Sequence, residues 1–235
     1  MGSRRWPLVV VLVVIVALAG FAAGYAVHSA APVTTTTAAP STSTTSAPDS
    51  TWVAVWPSAQ SSLRYPTPVS AAIGFAHAVL AMRGVTASPF AQGDTRSGEV
   101  AIRTTATGPI TTVLVRQLTS ENSWWVLGAS CAELSIAEPG ALETIASPLS
   151  LTGSSTAFEG VINYALYQDG LTAPLASGTA MGGSNGVVAP YAVTVTFAAP
   201  THRYGVLVVT TRSAKDGSVL EASAIRVAFA TVTSH

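Results

Sequence analysis

Charge is scarce in this chain: aspartate, glutamate, lysine and arginine make up 9% of it, 11 acidic against 11 basic, for a formal net charge of zero. Without a basic excess there is no electrostatic footprint for nucleic acid, and no nucleic-acid partner is expected. One cysteine, Cys131, excludes an internal disulfide, so the folded parts hold by packing alone. It follows an apolar segment with no histidine or basic residue beside it, which predicts a buried thiol rather than a nucleophile. His77 and His202 each lack a second ligand nearby in sequence, so no metal site is expected. Carboxylates occur singly, and neither a Gly-x-Ser-x-Gly elbow nor a Ser-x-x-Lys pair is present. Residues 182–186 are glycine-rich but lack the Lys-Ser/Thr ending of a phosphate loop, and are read as a long hairpin loop. The expectation is a chain with no catalytic set and no cofactor.

What the chain does have begins with an uncharged apolar run. Residues 6–27 carry no charge across 22 positions and follow Arg4 and Arg5. At about 1.5 Å per residue this crosses a hydrocarbon core of about 30 Å. Basic residues on its N-terminal side predict that the remainder lies outside the membrane. A cleaved signal peptide is the competing reading. The apolar core is long for one, and the sites around Gly24 and Ser29 are poor for cleavage, which favours an uncleaved anchor. Residues 1–28 are therefore read as a cytoplasmic tip and single-pass transmembrane anchor, placing the protein in the cell membrane. Residues 29–51 are rich in Ser, Thr and Pro, a composition that buries no core. They read as a stalk of about 60 Å if fully polyproline-like, and as a candidate for O-glycosylation.

Residues 52–132 read as a small α+β domain. Thr67 and Pro68 supply a capping hydroxyl and a proline at the first helical position. Val69, Ala72, Ile73, Ala76, Val79 and Leu80 recur at helical spacing, with Gly84 as the expected terminator. Residues 99–105, 111–118 and 124–129 then read as three strands of a meander. Trp124 and Trp125 are adjacent on the last of these, so their rings point to opposite faces. One is expected to fill the core, and an exposed partner would make a binding anchor, because aromatics dominate interface hot spots. Trp52 and Trp56 are read as pinning the stalk to this domain.

Period-two alternation takes over in residues 133–235. Tyr191, Val193, Val195 and Phe197 fall on one face of a strand, with Ala192, Thr194 and Thr196 on the other. Residues 158–170 place Phe158, Ile162, Tyr164 and Leu166 together. Residues 206–211 are apolar on both faces and read as a central strand. Asp216-Gly217 supplies a tight turn into a last strand whose inward side chains are Ile225, Val227 and Phe229. With residues 134–138, 149–152 and 175–181 this makes about seven strands, the count of an immunoglobulin-like sandwich. No Cys–Trp–Cys pattern of the antibody type is present.

The run SPLSLTGSSTAFEGVINYALYQDG, then PYAVTVTF, then SAKDGS and IRVAF, resembles the immunoglobulin-like domain of bacterial spore-germination proteins, the Gmad family. The resemblance covers about residues 135–230. It implies an extracytoplasmic adaptor and carries over no catalytic residue; Glu159 of the FEG element is expected to organise the backbone near a strand start. The chain as a whole is thus read as mainly β, with an anchor, a stalk, a small α+β domain and a C-terminal sandwich. The leading expectation is a non-enzymatic binding or scaffold protein of the cell envelope, contacting envelope proteins or wall glycan. The alternatives are a small-ligand receptor or enzyme using a pocket near His77 or Glu99, and a purely structural spacer.

Overall fold

The computed structural model describes residues 54–118, 122–230 and 232, all within one compact unit spanning residues 46–235. The expected anchor and stalk lie outside the described residues, as does Trp52. Among the described residues no helix is long and apolar enough to cross a membrane.

One α-helix, α1 (Pro68–Ala78), begins where the sequence predicts. The Thr67 hydroxyl accepts from the Ser70 N–H at 3.1 Å, while the Ser70 hydroxyl accepts from the Thr67 N–H at 3.2 Å, so two orphan donors are satisfied reciprocally. The helix does not run to Gly84. It ends at Val79, and Ala81 takes the left-handed conformation (φ 55°) while Met82 N–H donates to the Ala76 carbonyl.

Among the described residues fourteen strands follow. The first five are β1 (Thr86–Ala87), β2 (Ala91–Gln92), β3 (Ser97–Arg103), β4 (Thr111–Gln117) and β5 (Trp124–Cys131). Next come β6 (Leu134–Glu138), β7 (Thr144–Ile145), β8 (Leu149–Ala157), β9 (Val161–Gln168) and β10 (Ala176–Met181). The last are β11 (Gly183–Ser184), β12 (Ala189–Val195), β13 (Tyr204–Arg212) and β14 (Val219–Phe229). The protein is mainly β, and β3–β4–β5 is the expected antiparallel meander.

The large sheet runs β1-β3-β4-β5-β14-β13-β9-β10, with β2 paired to β3 and β7 to β14. A small sheet of β6, β8, β11 and β12 faces its second half. The join is short, since β14 meets β5 only through Ala224↔Ala129 and Ile225↔Gly128. A Cβ on Gly128 would stand 2.7 Å from the Ala224 carbonyl oxygen, so the strands close here because this position has no side chain. The sheet therefore crosses the boundary drawn between residues 132 and 133.

Strand β13 sits between β14 and β9, as its two-sided apolar pattern predicts. Val206 and Val208 join a core with Phe75, Leu80, Met82, Val100 and Val113 beneath the helix. Leu207 and Val209, one residue out of phase, join the sandwich core with Leu151, Ile162, Leu166, Val227 and Phe229. Two cores thus share one strand. In β12 the predicted alternation holds, with Tyr191 and Val195 buried and Ala192 and Thr194 exposed.

Candidate functional site

At the end of the sandwich where β13 turns into β14, Phe158 of the FEG element and the strand ends that flank the DGS turn, residues 211–214 and 220–221, line an open groove of about 740 Å³. The turn between these strands is built by local chemistry. Gly217 is left-handed (φ 71°), and Asp216 Oδ1 accepts from the Ser218 hydroxyl at 2.7 Å and its N–H at 3.0 Å. Those bonds hold the Asp216 carboxyl below the usual range.

Opposite it, residues 158–160 form a single 3-10 turn joining the small sheet to the large one. Glu159 (φ 58°) and Gly160 (φ 74°) are both left-handed, so Glu159 does shape the backbone just before a strand. Gly160 is also crowded, because a Cβ there would lie 3.0 Å from the Gly182 carbonyl oxygen. This turn overturns the predicted inward face of Phe158. The strand begins only at Val161, and Phe158 is 61% exposed while Ile162 and Leu166 are fully buried.

Phe158 has company. Met181 pairs with Val161 across β9 and β10 and is 64% exposed, and Val187, just beyond the Asn185-Gly186 turn, is 66% exposed. The segments that carry them meet at this turn, since Gly182 N–H donates to the Gly160 carbonyl at 2.8 Å and Ser184 of β11 pairs with Ala157, next to Phe158. The glycine-rich run is no hairpin loop. It carries the chain from the large sheet to the small one, and within it β11 pairs in parallel with the end of β8.

Buried polar groups lie behind the apolar rim. Glu221, only 4% exposed, accepts a hydrogen bond from the Thr211 hydroxyl at 3.1 Å. Burial raises its carboxyl above the ordinary glutamate range, Glu133 adds to that, and the bonds from Thr211 and Cys131 oppose it. Cys131 is largely enclosed, with its thiol donating to the Leu134 carbonyl at 3.4 Å, and burial pushes it up to about 12. Such a thiol stays protonated and inert at neutral pH.

A stability prediction follows from Glu221. Its folded state holds the proton to higher pH than the unfolded chain does, so its contribution is complete below the ordinary glutamate pKa and is lost as pH rises through the raised value. Glu221→Gln keeps the acceptor for Thr211 without a titrating charge. It is expected to be more stable than the parent by about 1–3 kcal/mol at pH 8, with the difference closing below the ordinary glutamate range. Urea midpoints at both pH values measure this.

The other sequence candidates are scattered. Trp125 is fully buried in a small cluster with Val55 and Leu118, while Trp124 is half-buried on the opposite face, edge-on to Phe90 at 5.1 Å. Neither ring is an exposed anchor: Val55, Leu118 and the Arg64 guanidinium enclose Trp125 and Phe90 packs on Trp124, while Tyr65 and Trp56 pair along the edge of the strand. Trp56 stacks on Tyr65 at 5.7 Å and meets Phe75 edge-on at 5.2 Å. His202 lies in a loop, its Nδ1 3.2 Å from the Thr201 hydroxyl. His77 lines a surface cleft with Arg83 and Arg212, whereas Glu99 is exposed on β3. Sequence reasoning missed the outward Phe158 and the carboxyl of Glu221. The first had a signal in the Glu-Gly pair, whose backbone conformation breaks the alternation.

Residues 133–218 match the Gmad2 family, the immunoglobulin-like domain of bacterial spore germination. No curated protein and no solved structure matches the chain. The Gmad2 match begins just before β6 and ends at Ser218, so the FEG turn and the Asp216-Gly217 turn both lie inside it.

Proposed function

We propose that this protein is a membrane-anchored binding module of the bacterial cell envelope, which holds a partner protein outside the membrane through the patch around its FEG turn. The observation that carries this reading is the group of Phe158, Met181 and Val187, three large apolar side chains each more than half exposed around one tight turn. Soluble surfaces seldom collect such side chains without a use. A rigid aromatic beside a flexible methionine is the composition of an interface centre. The germination-type domain supports an extracytoplasmic setting, and the apolar run at residues 6–27 with the stalk after it would hold the patch away from the bilayer. On this reading the module works by contact and catalyses no reaction.

The test is a photo-crosslinking residue in place of Phe158 in the full-length protein, expressed in intact source cells, with a control at Thr194 on the exposed face of β12. A discrete envelope protein should be trapped from position 158 and not from 194. Phe158→Ser with Met181→Ser should cut its recovery at least about tenfold, the loss expected from a hot spot, without lowering the melting temperature. Equal trapping from both positions would leave the structural-spacer reading in its place.

A further inference from the structure

The helix covers only part of its side of the large sheet. Eleven residues long, α1 packs on β3, β4 and β5, and the same face continues past it over β13, β9 and β10. There the surface is concave. One cavity of about 380 Å³ lies beside the turn that follows the helix, between Ala81 and the strands. It shares Val79 and Tyr167 with a cavity of about 210 Å³ towards Leu171, and Ala81, Arg212 and Val219 with one of about 740 Å³ towards the Gly217 turn. Together they form a trough running along β13 from Val206 to Arg212, about 20 Å at roughly 3.3 Å per residue.

The lining is polar where a buried sheet face would be apolar. Thr210, Asn163 and Thr179 stand in one row across β13, β9 and β10, followed by Val208, Ala165 and Ser177, with Tyr167 beyond. Small Ala165 and Ser177 make the floor low. At one end Arg83, Arg212 and His77 converge on the cleft. Among the described residues neither arginine forms an ion pair, and Arg212 donates only to the Gly217 carbonyl, at 2.8 Å. The carboxylate facing this end is Asp216, already held by Ser218. At the other end Asp169 is committed to Arg226.

We infer that this trough binds an extended acidic oligosaccharide, with hydroxyl groups along the Thr210, Asn163 and Thr179 row and a carboxylate at Arg83 and Arg212. Amide and hydroxyl side chains beside a tyrosine suit sugar hydroxyls and ring faces, and the unpaired guanidinium groups call for an anion. An extended peptide fits less well. It gains affinity by adding to a free strand edge, and the trough lies on the face of β9, whose backbone is already paired on both sides by β10 and β13. This inference stands apart from the protein-partner reading, because it uses neither Phe158 nor Val187.

The experiment is calorimetric titration of the detergent-solubilised full-length protein with a short oligogalacturonate, a neutral cello-oligosaccharide of equal length and a poly-glutamate peptide. Oligogalacturonate should bind, weakening as salt is raised, and the neutral sugar should bind at least about tenfold more weakly, the worth of one charged hydrogen bond. Arg83→Gln with Arg212→Gln should lose that tenfold. Asn163→Ala should weaken both sugars alike, and Phe158→Ser should change neither. Melting temperatures confirm that each variant folds. No binding of oligogalacturonate, an undiminished double variant, or poly-glutamate binding as tightly would each overturn the inference.

Discussion

Replacing Asp169 by alanine is expected to destabilise the protein by about 3–5 kcal/mol, the cost of leaving a buried charge without its partner. Arg226 is 2% exposed, and two of its guanidinium nitrogens donate to the two Asp169 oxygens at 2.7 Å each. This bidentate pair ties the turn after β9 to the middle of β14. For a unit of this size the melting temperature should fall by roughly 10 °C. The reverse sign is expected for the pair removed together. Asp169→Leu with Arg226→Met should come within about 1–2 kcal/mol of the parent, because an apolar pair of similar volume bears no desolvation cost. Thermal melts of the two variants check both statements. Equal losses in single and double variants would show that the pair adds more than compensation.

Leu207→Ala is the second large effect, at about 2–5 kcal/mol for a fully buried leucine. Its side chain lies on the sandwich face of β13, and its neighbours Val206 and Val208 lie on the helix face. Because one strand serves both cores, the loss should be felt on both. Hydrogen exchange should accelerate in β3 to β5 as well as in β8 and β9, within a single unfolding transition. Acceleration confined to the sandwich would mean that residues 52–132 and 133–235 unfold as separate units.

How much was legible beforehand can be judged from particular residues. Thr67-Pro68 marked the helix start because capping is settled within four residues of chain. Asp216-Gly217 marked its turn for the same reason. Period two located β12, and the two-sided pattern of residues 206–211 identified a central strand, since a strand buried on both faces has no polar side to show. The errors sit where distant segments meet. Phe158 fitted the alternation and yet faces out, because two left-handed residues follow it. Gly84 was a reasonable helix terminator, but the helix had already ended at Val79.

The candidate site was less legible than the fold. Trp124 and Trp125 were the conspicuous residues, and segments distant in the chain cover them, Val55 and Arg64 on Trp125 and Phe90 on Trp124. Arg226 and Glu221 stood as two charges in an otherwise apolar strand, a visible anomaly, but the partner of Arg226, Asp169, lies 57 residues away. The trough exists only because α1 stops short of β13, β9 and β10, and the helix length and the strand order together decide that.

The sequence by itself determined the longer strands, the helix start, the tight turn and the match to a germination-type domain, because each depends on side chains within a few positions of one another. The tertiary structure alone decided that one sheet runs through both halves, that Phe158 points outward and that Arg83 and Arg212 line one cleft, because pairing and burial depend on which distant segments come to lie side by side.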